Sequence, residues 1–473
     1  MKTQQVNRNR EFIKNTVILF IGKFATQFMS LLLLPLYTHY LLAEDYGMVD
    51  LFQTYISLFV PILTLRIDSA VFRFLIDKRN NKNESSKIIT NIILILLFGL
   101  LFTCIVSIIL YFILNIKYFI LVVTNLLILM ISNTLLQILR GIGKNTQYSI
   151  CSIITGVSTL LFNIIFIVFL KGNGSSILLS SSIANIICII TIIIYAKLFT
   201  LINFKHISKP MIKEIVLYSF PMIPNALSWW IVNVSDRTLI SIFLGIAFNG
   251  IYTVSCKFSN ILNSIFSVFN MSWQETASLH INDDDCELFF SNMINQILMF
   301  FSNIGLLILA VLPIVYPYVI GSEYYNSYKY IPILIYANTW NVLIGLIGGI
   351  YVAKKKTREI ANTTIMSAII NIVVNLMLIK YFGLYAACIS TLISYISMSL
   401  YRYFDCQKYV AFTLDFKALL ISTIIFVCCS WCYYSNNLII SFISLFIVII
   451  YSFILNKKHF KAIFIDLQKR FKH

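Results

Sequence analysis

The sequence predicts an all-α, polytopic membrane protein. Three observations carry that reading. Of 473 residues, 59% are apolar and only 12% are charged, and the mean hydropathy is +0.86. A soluble domain runs at roughly 25% charged and below about 50% apolar. The apolar residues also gather into fourteen stretches. Each is near the ~20 residues that a helix needs to cross ~30 Å of hydrocarbon. Finally, the basic residues fall between those stretches, and mostly between alternate pairs of them. A cytosolic enzyme, a nucleic-acid binder and a secreted disulfide scaffold are excluded. The net charge of +17 belongs to short inter-span loops, where the membrane's own charge rule explains it.

The expected spans are residues 15–42, 46–65, 89–113, 118–139, 147–170, 175–199, 215–243, 249–269, 288–312, 331–353, 359–379, 384–401, 418–433 and 438–455. No interruption leaves room for a soluble domain. The first apolar run, Thr16–Leu42, is too long for a cleavable signal core, so it is expected to remain as a helix. Twenty-nine of the 36 Lys and Arg lie in loops on the N-terminal side. Four (Lys117, Lys171, Lys329 and Lys380) lie opposite, and Lys23, Arg237 and Lys257 fall within spans. Both termini are therefore expected in the cytoplasm. The tail carries Lys457, Lys458, Lys461, Lys469, Arg470 and Lys472, and is expected to rest on anionic lipid headgroups.

Two short signals repeat. Tyr46-Gly47 opens span two, and Asn249-Gly250 opens span eight, 203 positions on. Gly174 near the start of span six and Gly383 near the start of span twelve are 209 apart. Both pairs map a helix onto the sixth helix after it. The expectation is an N-terminal lobe (1–200), a cytoplasmic linker (201–214), a C-terminal lobe (215–410), and two further helices with the basic tail (411–473). The ten cysteines are mostly mid-span and read as small hydrophobes. The five histidines show no metal-ligand spacing.

Polar residues inside a span are costly, so their positions are informative. Span one carries Thr16, Lys23, Gln27 and Ser30 on one face. Span two carries Asp50, Gln53, Thr54, Ser57, Pro61 and Thr64. Span seven carries Ser219, Trp230, Asn233, Asp236 and Arg237, with Pro221 and Pro224 as kink points. Span eight carries Thr253, Lys257, Asn260, Ser264 and Ser267. Two readings of the charges stand side by side. In one, Asp50 or Asp236 neutralises Arg237 or Lys257 in interhelical ion pairs. In the other, a hydrated cavity lined by Lys23, Gln27, Asp50, Asn233, Asp236, Arg237, Lys257 and Asn260 uses its cations to hold an anionic substrate. Arg66 and Arg73, at the end of span two, snorkel to headgroups or meet a phosphate at the cavity mouth, with Asp68 as a local partner.

Leu34-Pro35-Leu36-Tyr37-Thr38 followed by Glu44-Asp45-Tyr46-Gly47 resembles the first hairpin of bacterial polysaccharide flippases. Asp236-Arg237-Thr238, Leu244-Gly245 and Asn249-Gly250-Ile251-Tyr252 resemble the matching hairpin of their second lobe. Gly321-Ser322-Glu323-Tyr324-Tyr325 is similar to their outer loop before helix ten. These proteins belong to the multidrug/oligosaccharidyl-lipid/polysaccharide exporter superfamily. The resemblance implies a V-shaped, two-lobed fold with a cavity formed mainly by helices 1, 2, 7 and 8. It implies a bacterial inner-membrane location and alternating access. The implied substrate is an oligosaccharide repeat unit on undecaprenyl pyrophosphate, moved to the outer leaflet for O-antigen, capsule or exopolysaccharide synthesis. Lys23, Arg237 and Lys257 would then face the pyrophosphate or acidic sugars. A polysaccharide polymerase and a chain-length regulator are the implied protein partners. No cofactor is expected beyond a coupling ion, H+ or Na+, at Asp50 or Asp236.

Other classes read less well. Asp283-Asp284-Asp285 has the spacing of a glycosyltransferase metal motif, but no catalytic domain surrounds it, and no outer loop is large enough for a repeat-unit polymerase. Arg140-Gly-Ile-Gly-Lys144 lacks the spacing and the hydroxyl residue of a phosphate loop. An ion-coupled multidrug extruder of the same superfamily is the alternative transporter.

Overall fold

The computed structural model describes Gly22 and residues 25–78, 81–113, 116–435 and 437–452, apart from the side chains of Asp77, Asn225, Val232, Asn233 and Thr357. Lys23 and the basic tail lie outside the described residues. Sixteen α-helices and no strand occur among the residues described. They begin with α1 (residues 25–40), α2 (Ala43–Leu63), α3 (Ile67–Lys78), α4 (Lys82–Ile113) and α5 (Phe119–Gly141). Next come α6 (Asn145–Asn163), which ends in a π-helical turn at Ile164–Phe169, α7 (Ser175–Ala196), α8 (Lys209–Ser219) and α9 (Ile223–Phe243). The remainder are α10 (Ile246–His280), α11 (Cys286–Val319), α12 (Ile331–Ala353), α13 (Thr357–Phe382), α14 (Leu384–Cys406), α15 (Phe416–Tyr434) and α16 (Leu438–Ser452).

All fourteen expected spans are helical where described. Ten helices among the described residues are individually long and apolar enough to cross a bilayer. The others have visible reasons. Span seven is a bent pair, Lys209–Ile231 and Val234–Phe243 at 55°, and the 3-10 turn Phe220–Met222 at Pro221 separates α8 from α9. α10 is long but dotted with Asn and Ser, and α16 is short. Two stretches expected as loop are helix instead. In α3, Ile67, Ala70, Val71 and Leu75 recur at helical spacing and are fully buried. α8 starts inside the expected 201–214 linker, with a proline in its first turn.

By packing, the chain forms two compact units, Met1–Gly250 and Ile251–His473. This boundary falls after span seven, whereas the sequence halves meet at the linker. The cause is that α8 and α9 dock on the first unit, with Ile215 of α8 buried in its core. That core joins the apolar face of α3 to Ile88, Ile89 and Ile92 of α4 and to Met130, Ile138 and Leu139 of α5. On α4 the opposite face is apolar too, with Phe98, Leu101, Phe102, Ile105 and Phe112 exposed. An exposed stripe of that kind belongs against lipid. Ser86, Thr90 and Asn91 at the start of α4 hold the linker. Asn91 donates to the His206 carbonyl at 3.0 Å and accepts from the Ser208 N–H at 2.9 Å, and Thr90 accepts from the Asn203 N–H at 3.0 Å.

Where α2 meets the start of α10, the repeat-related glycines pack together. A Cβ on Gly47 would overlap the Ile246 carbonyl, and one on Gly250 would overlap the Ala43 carbonyl. Buried Asn249 donates to the Gly47 carbonyl at 2.8 Å. Small residues permit this backbone approach, which membrane helices use widely.

The second unit has its own core. Leu262, Phe266 and Trp273 of α10 meet Phe290 and Phe301 of α11 and Val342, Leu346 and Ile350 of α12. Arg402 of α14 is 2% exposed. It donates to Thr363 Oγ1 at 2.9 Å, to the Ile344 carbonyl at 3.0 Å, and to the Ile360 carbonyl and Thr364 Oγ1 at 3.4 Å. Its five donors tie α12, α13 and α14 together. Tyr328 and Tyr433 stack at 3.9 Å and donate to each other's backbone carbonyls, fixing α15 to the Ser322–Tyr330 segment.

Candidate functional site

A cavity of about 790 Å³ lies within the first unit, lined by α2, α5, α6, α7, α9 and the turn between α2 and α3. That size sits inside the ~300–1,000 Å³ range of small-molecule sites. One face of α2 contributes Gln53, Ser57, Pro61 and Thr64; α9 contributes Ala226, Trp229, Trp230 and Val234. Both sets recur at three or four residues, as one helix face requires. The two helices are tied across the site by the Trp230 indole, which donates to the Thr54 carbonyl at 2.9 Å. Ser57 Oγ donates to that same carbonyl at 2.6 Å. From α5 come Asn125, Leu129, Asn133 and Gln137; α6 adds Tyr148 and α7 adds Ser181.

The two ends differ. At one end the chain leaves α2 through Leu65 and Arg66, both left-handed with φ of 50° and 55°. Non-glycine residues avoid that region, and it is kept where surrounding structure enforces it. The turn projects Arg66 to the cavity wall. Its Nη1 lies 3.4 Å from Asp68 and its Nη2 donates to Ser69 at 2.8 Å. Its Nε is buried with no hydrogen-bond partner among the described residues. Toward the other end, one turn beyond Gln53 and Val234, Arg237 Nε meets Asp50 Oδ2 at 2.7 Å. Both side chains are nearly buried, at 12% and 13% exposure. The Gly47–Gly250 crossing lies one turn further along α2. Pairing makes two ionised groups tolerable here.

The structure places the sequence-derived residues unevenly. Asp50 and Arg237 are brought together as an ion pair beside the cavity. Asp236 is buried on α9. Gln27 is exposed on α1. Lys23 and the side chain of Asn233 lie outside the described residues. Lys257 and Asn260 belong to the second unit. There Asn260 accepts from Asn263 at 3.3 Å, and Asn263 donates to Asn338 at 2.9 Å, so they open an amide chain. Gln53, Ser57, Pro61 and Thr64 of the α2 stripe line the cavity, as does Arg66 with Asp68 as partner. The α5 face was missed. Its signal was present, since Asn125, Asn133 and Gln137 share one helical face. Trp229, Tyr148 and Ser181 carried no such pattern. None of the ten cysteines forms a disulfide. Among the described residues, no group of three or more His, Cys, Asp or Glu gathers to hold a metal.

A family model described as "Polysaccharide biosynthesis protein" matches residues 12–273. No curated protein matches the sequence significantly. Among solved structures, the chain is similar to the lipid II flippase MurJ in an inward closed conformation. The TM-score is 0.67 and the identity 17%, over 95% of this chain and 100% of that one. It is similar to an inward-facing multidrug resistance MATE family transporter of the MOP superfamily, with TM-score 0.63 and 11% identity, over 88% and 95%. The Vibrio cholerae MATE transporter VcmN gives TM-score 0.58 and 12% identity, over 86% and 98%. At these identities the likeness is one of fold.

Proposed function

The chain belongs to the polysaccharide biosynthesis protein family, and from that premise we propose that it is a flippase for lipid-linked oligosaccharides. In this reading it moves undecaprenyl-pyrophosphate-linked repeat units from the cytoplasmic to the outer leaflet of a bacterial inner membrane, for surface polysaccharide synthesis. The observation that carries the proposal is a cavity of about 790 Å³, lined by polar and apolar side chains together, set among apolar spans. Sugars and phosphates cannot shed their water into hydrocarbon without large cost. A cavity walled by amides, hydroxyls and indoles replaces that water, while a prenyl chain stays in lipid. The likeness in fold to a protein named as a lipid II flippase supports the same reading.

The mechanism is alternating access. The excess of basic loops on one side supports placing the Arg66 end in the cytoplasm. Arg66 meets the pyrophosphate as the headgroup enters. The Asp50–Arg237 pair and the Gly47–Gly250 crossing seal the opposite end, and release outward requires them to part. Lys23, Gln27, Asn233, Asp236, Lys257 and Asn260 remain proposed members of the route. A proton or sodium ion at Asp50 or Asp236 would drive the cycle, and a polymerase with its chain-length regulator would receive the product.

The test is translocation in proteoliposomes loaded with a fluorescent undecaprenyl-pyrophosphate oligosaccharide. Protein-dependent loss of the lipid from the starting leaflet is expected, and it should slow when the driving proton or sodium gradient is collapsed. Transport of cationic drugs with no movement of the glycolipid would instead favour the multidrug-extruder reading.

A further inference from the structure

We infer that the cavity selects uncharged sugars, bearing hydroxyl and acetamido groups, and discriminates against acidic ones. The inference rests on the flippase reading and narrows its substrate. Among the residues lining the cavity, the charged ones are Arg66 and Asp68. They lie 3.4 Å apart and cancel. Arg237, the nearest further cation on these helices, is held by Asp50 at 2.7 Å. With Arg66 engaged by the pyrophosphate, a sugar carboxylate entering this space would find no further counter-charge among the described residues that line it.

The remaining wall has the chemistry of neutral sugar recognition. Gln53, Asn133 and Gln137 have no protein hydrogen bond among the described residues, and Gln53 and Asn133 are exposed to the cavity. Each amide offers both donors and an acceptor. That matches hydroxyl and acetamido groups, which also do both; a carboxylate only accepts. Other polar groups are already committed and serve as framework. Asn125 donates to Ser182 at 3.1 Å, Thr134 to the Met130 carbonyl at 2.8 Å, and Trp230 to Thr54. Trp229 is 40% exposed and Trp230 lines the same wall. Indoles in such a wall, Trp230 with its ring stacked near Tyr55, suit the C–H faces of a pyranose. Two aromatic surfaces, three uncommitted amides and a cancelled charge pair together describe a site for neutral sugars.

The test uses full-length protein in nanodiscs and two radiolabelled probes on the same carrier. One is undecaprenyl pyrophosphate bearing two N-acetylhexosamines; the other replaces the second sugar by a hexuronic acid. The shared pyrophosphate cancels from the comparison. The neutral lipid is expected to bind at least about tenfold tighter. Gln137→Lys, which places a cation in the wall, is expected to narrow that ratio severalfold. Equal binding of the two lipids by the wild type, or tighter binding of the uronate, overturns the selectivity and leaves the flippase reading standing. An unchanged ratio in a folded Gln137→Lys protein overturns the assignment of the wall. Binding of neither lipid overturns the flippase reading as well.

Discussion

At the scale of single residues, the ion pair and the buried arginine make opposite kinds of demand. Arg237 and Asp50 offset each other's burial, so removing one partner takes away the opposite charge that a nearly buried group relies on. Arg237→Ala is expected to destabilise the protein by on the order of 3 kcal/mol. Asp50→Asn with Arg237→Gln removes both charges and is expected to recover most of the melting temperature in detergent, though not the transport rate. Equal melting losses in the single and double variants would show that the pair is not coupled. Arg402 is different, because neutral hydroxyls and carbonyls take up its hydrogen bonds. Arg402→Lys keeps the charge but loses the planar fork. It is expected to melt well below the wild type, and wild-type melting would contradict the account. The sequence marked Asp50 and Arg237 as costly to bury, whereas Arg402 fell just past span twelve and was counted among the loop cations. The sequence did not show their partners, because Asp50 and Arg237 are 187 positions apart and periodicity says nothing about pairing across helices.

At the scale of elements, the fourteen spans were legible because hydrocarbon length and loop charge leave few alternatives. α3 and α8 were not, although the pattern of Ile67, Ala70, Val71 and Leu75 is helical. They are too short and too polar to register as spans, and a search tuned to ~20 apolar residues passes over them. The polar face of α2 was visible in the sequence, since Gln53, Ser57, Pro61 and Thr64 stand out against apolar neighbours. The α5 wall was not, because its Asn and Gln carry no charge to draw attention. The glycine repeat was visible as a repeat, yet its meaning needed coordinates: Gly47 and Gly250 are close because each lets the other helix approach. Gly250→Ala places a methyl against the Ala43 carbonyl. A cost of about 1–3 kcal/mol is expected, together with faster labelling of a cysteine placed at Gln53 by an impermeant thiol reagent added from outside. Slower or unchanged labelling would mean that this crossing does not seal the cavity.

At the scale of the whole molecule, composition established a polytopic protein, and the family match together with the transporter-like fold agrees with it. The charges within the spans left two readings side by side, interhelical ion pairing and a cavity whose cations hold an anion. The cavity in the first unit has a cancelled pair and a neutral wall, because Arg237 is drawn to Asp50. Net charge describes the loops of such a protein better than its interior. The central claim is that the space among α2, α5 and α9 receives the sugar headgroup. The most direct measurement places the photo-crosslinking residue benzoylphenylalanine at Asn133 or Gln137 in growing cells, and at lipid-facing Phe102 as the control. Glycan-bearing lipid should be captured from the two cavity positions and not from Phe102. Capture from Phe102 alone, or from none of the three in a protein that still supports surface polysaccharide, would contradict it.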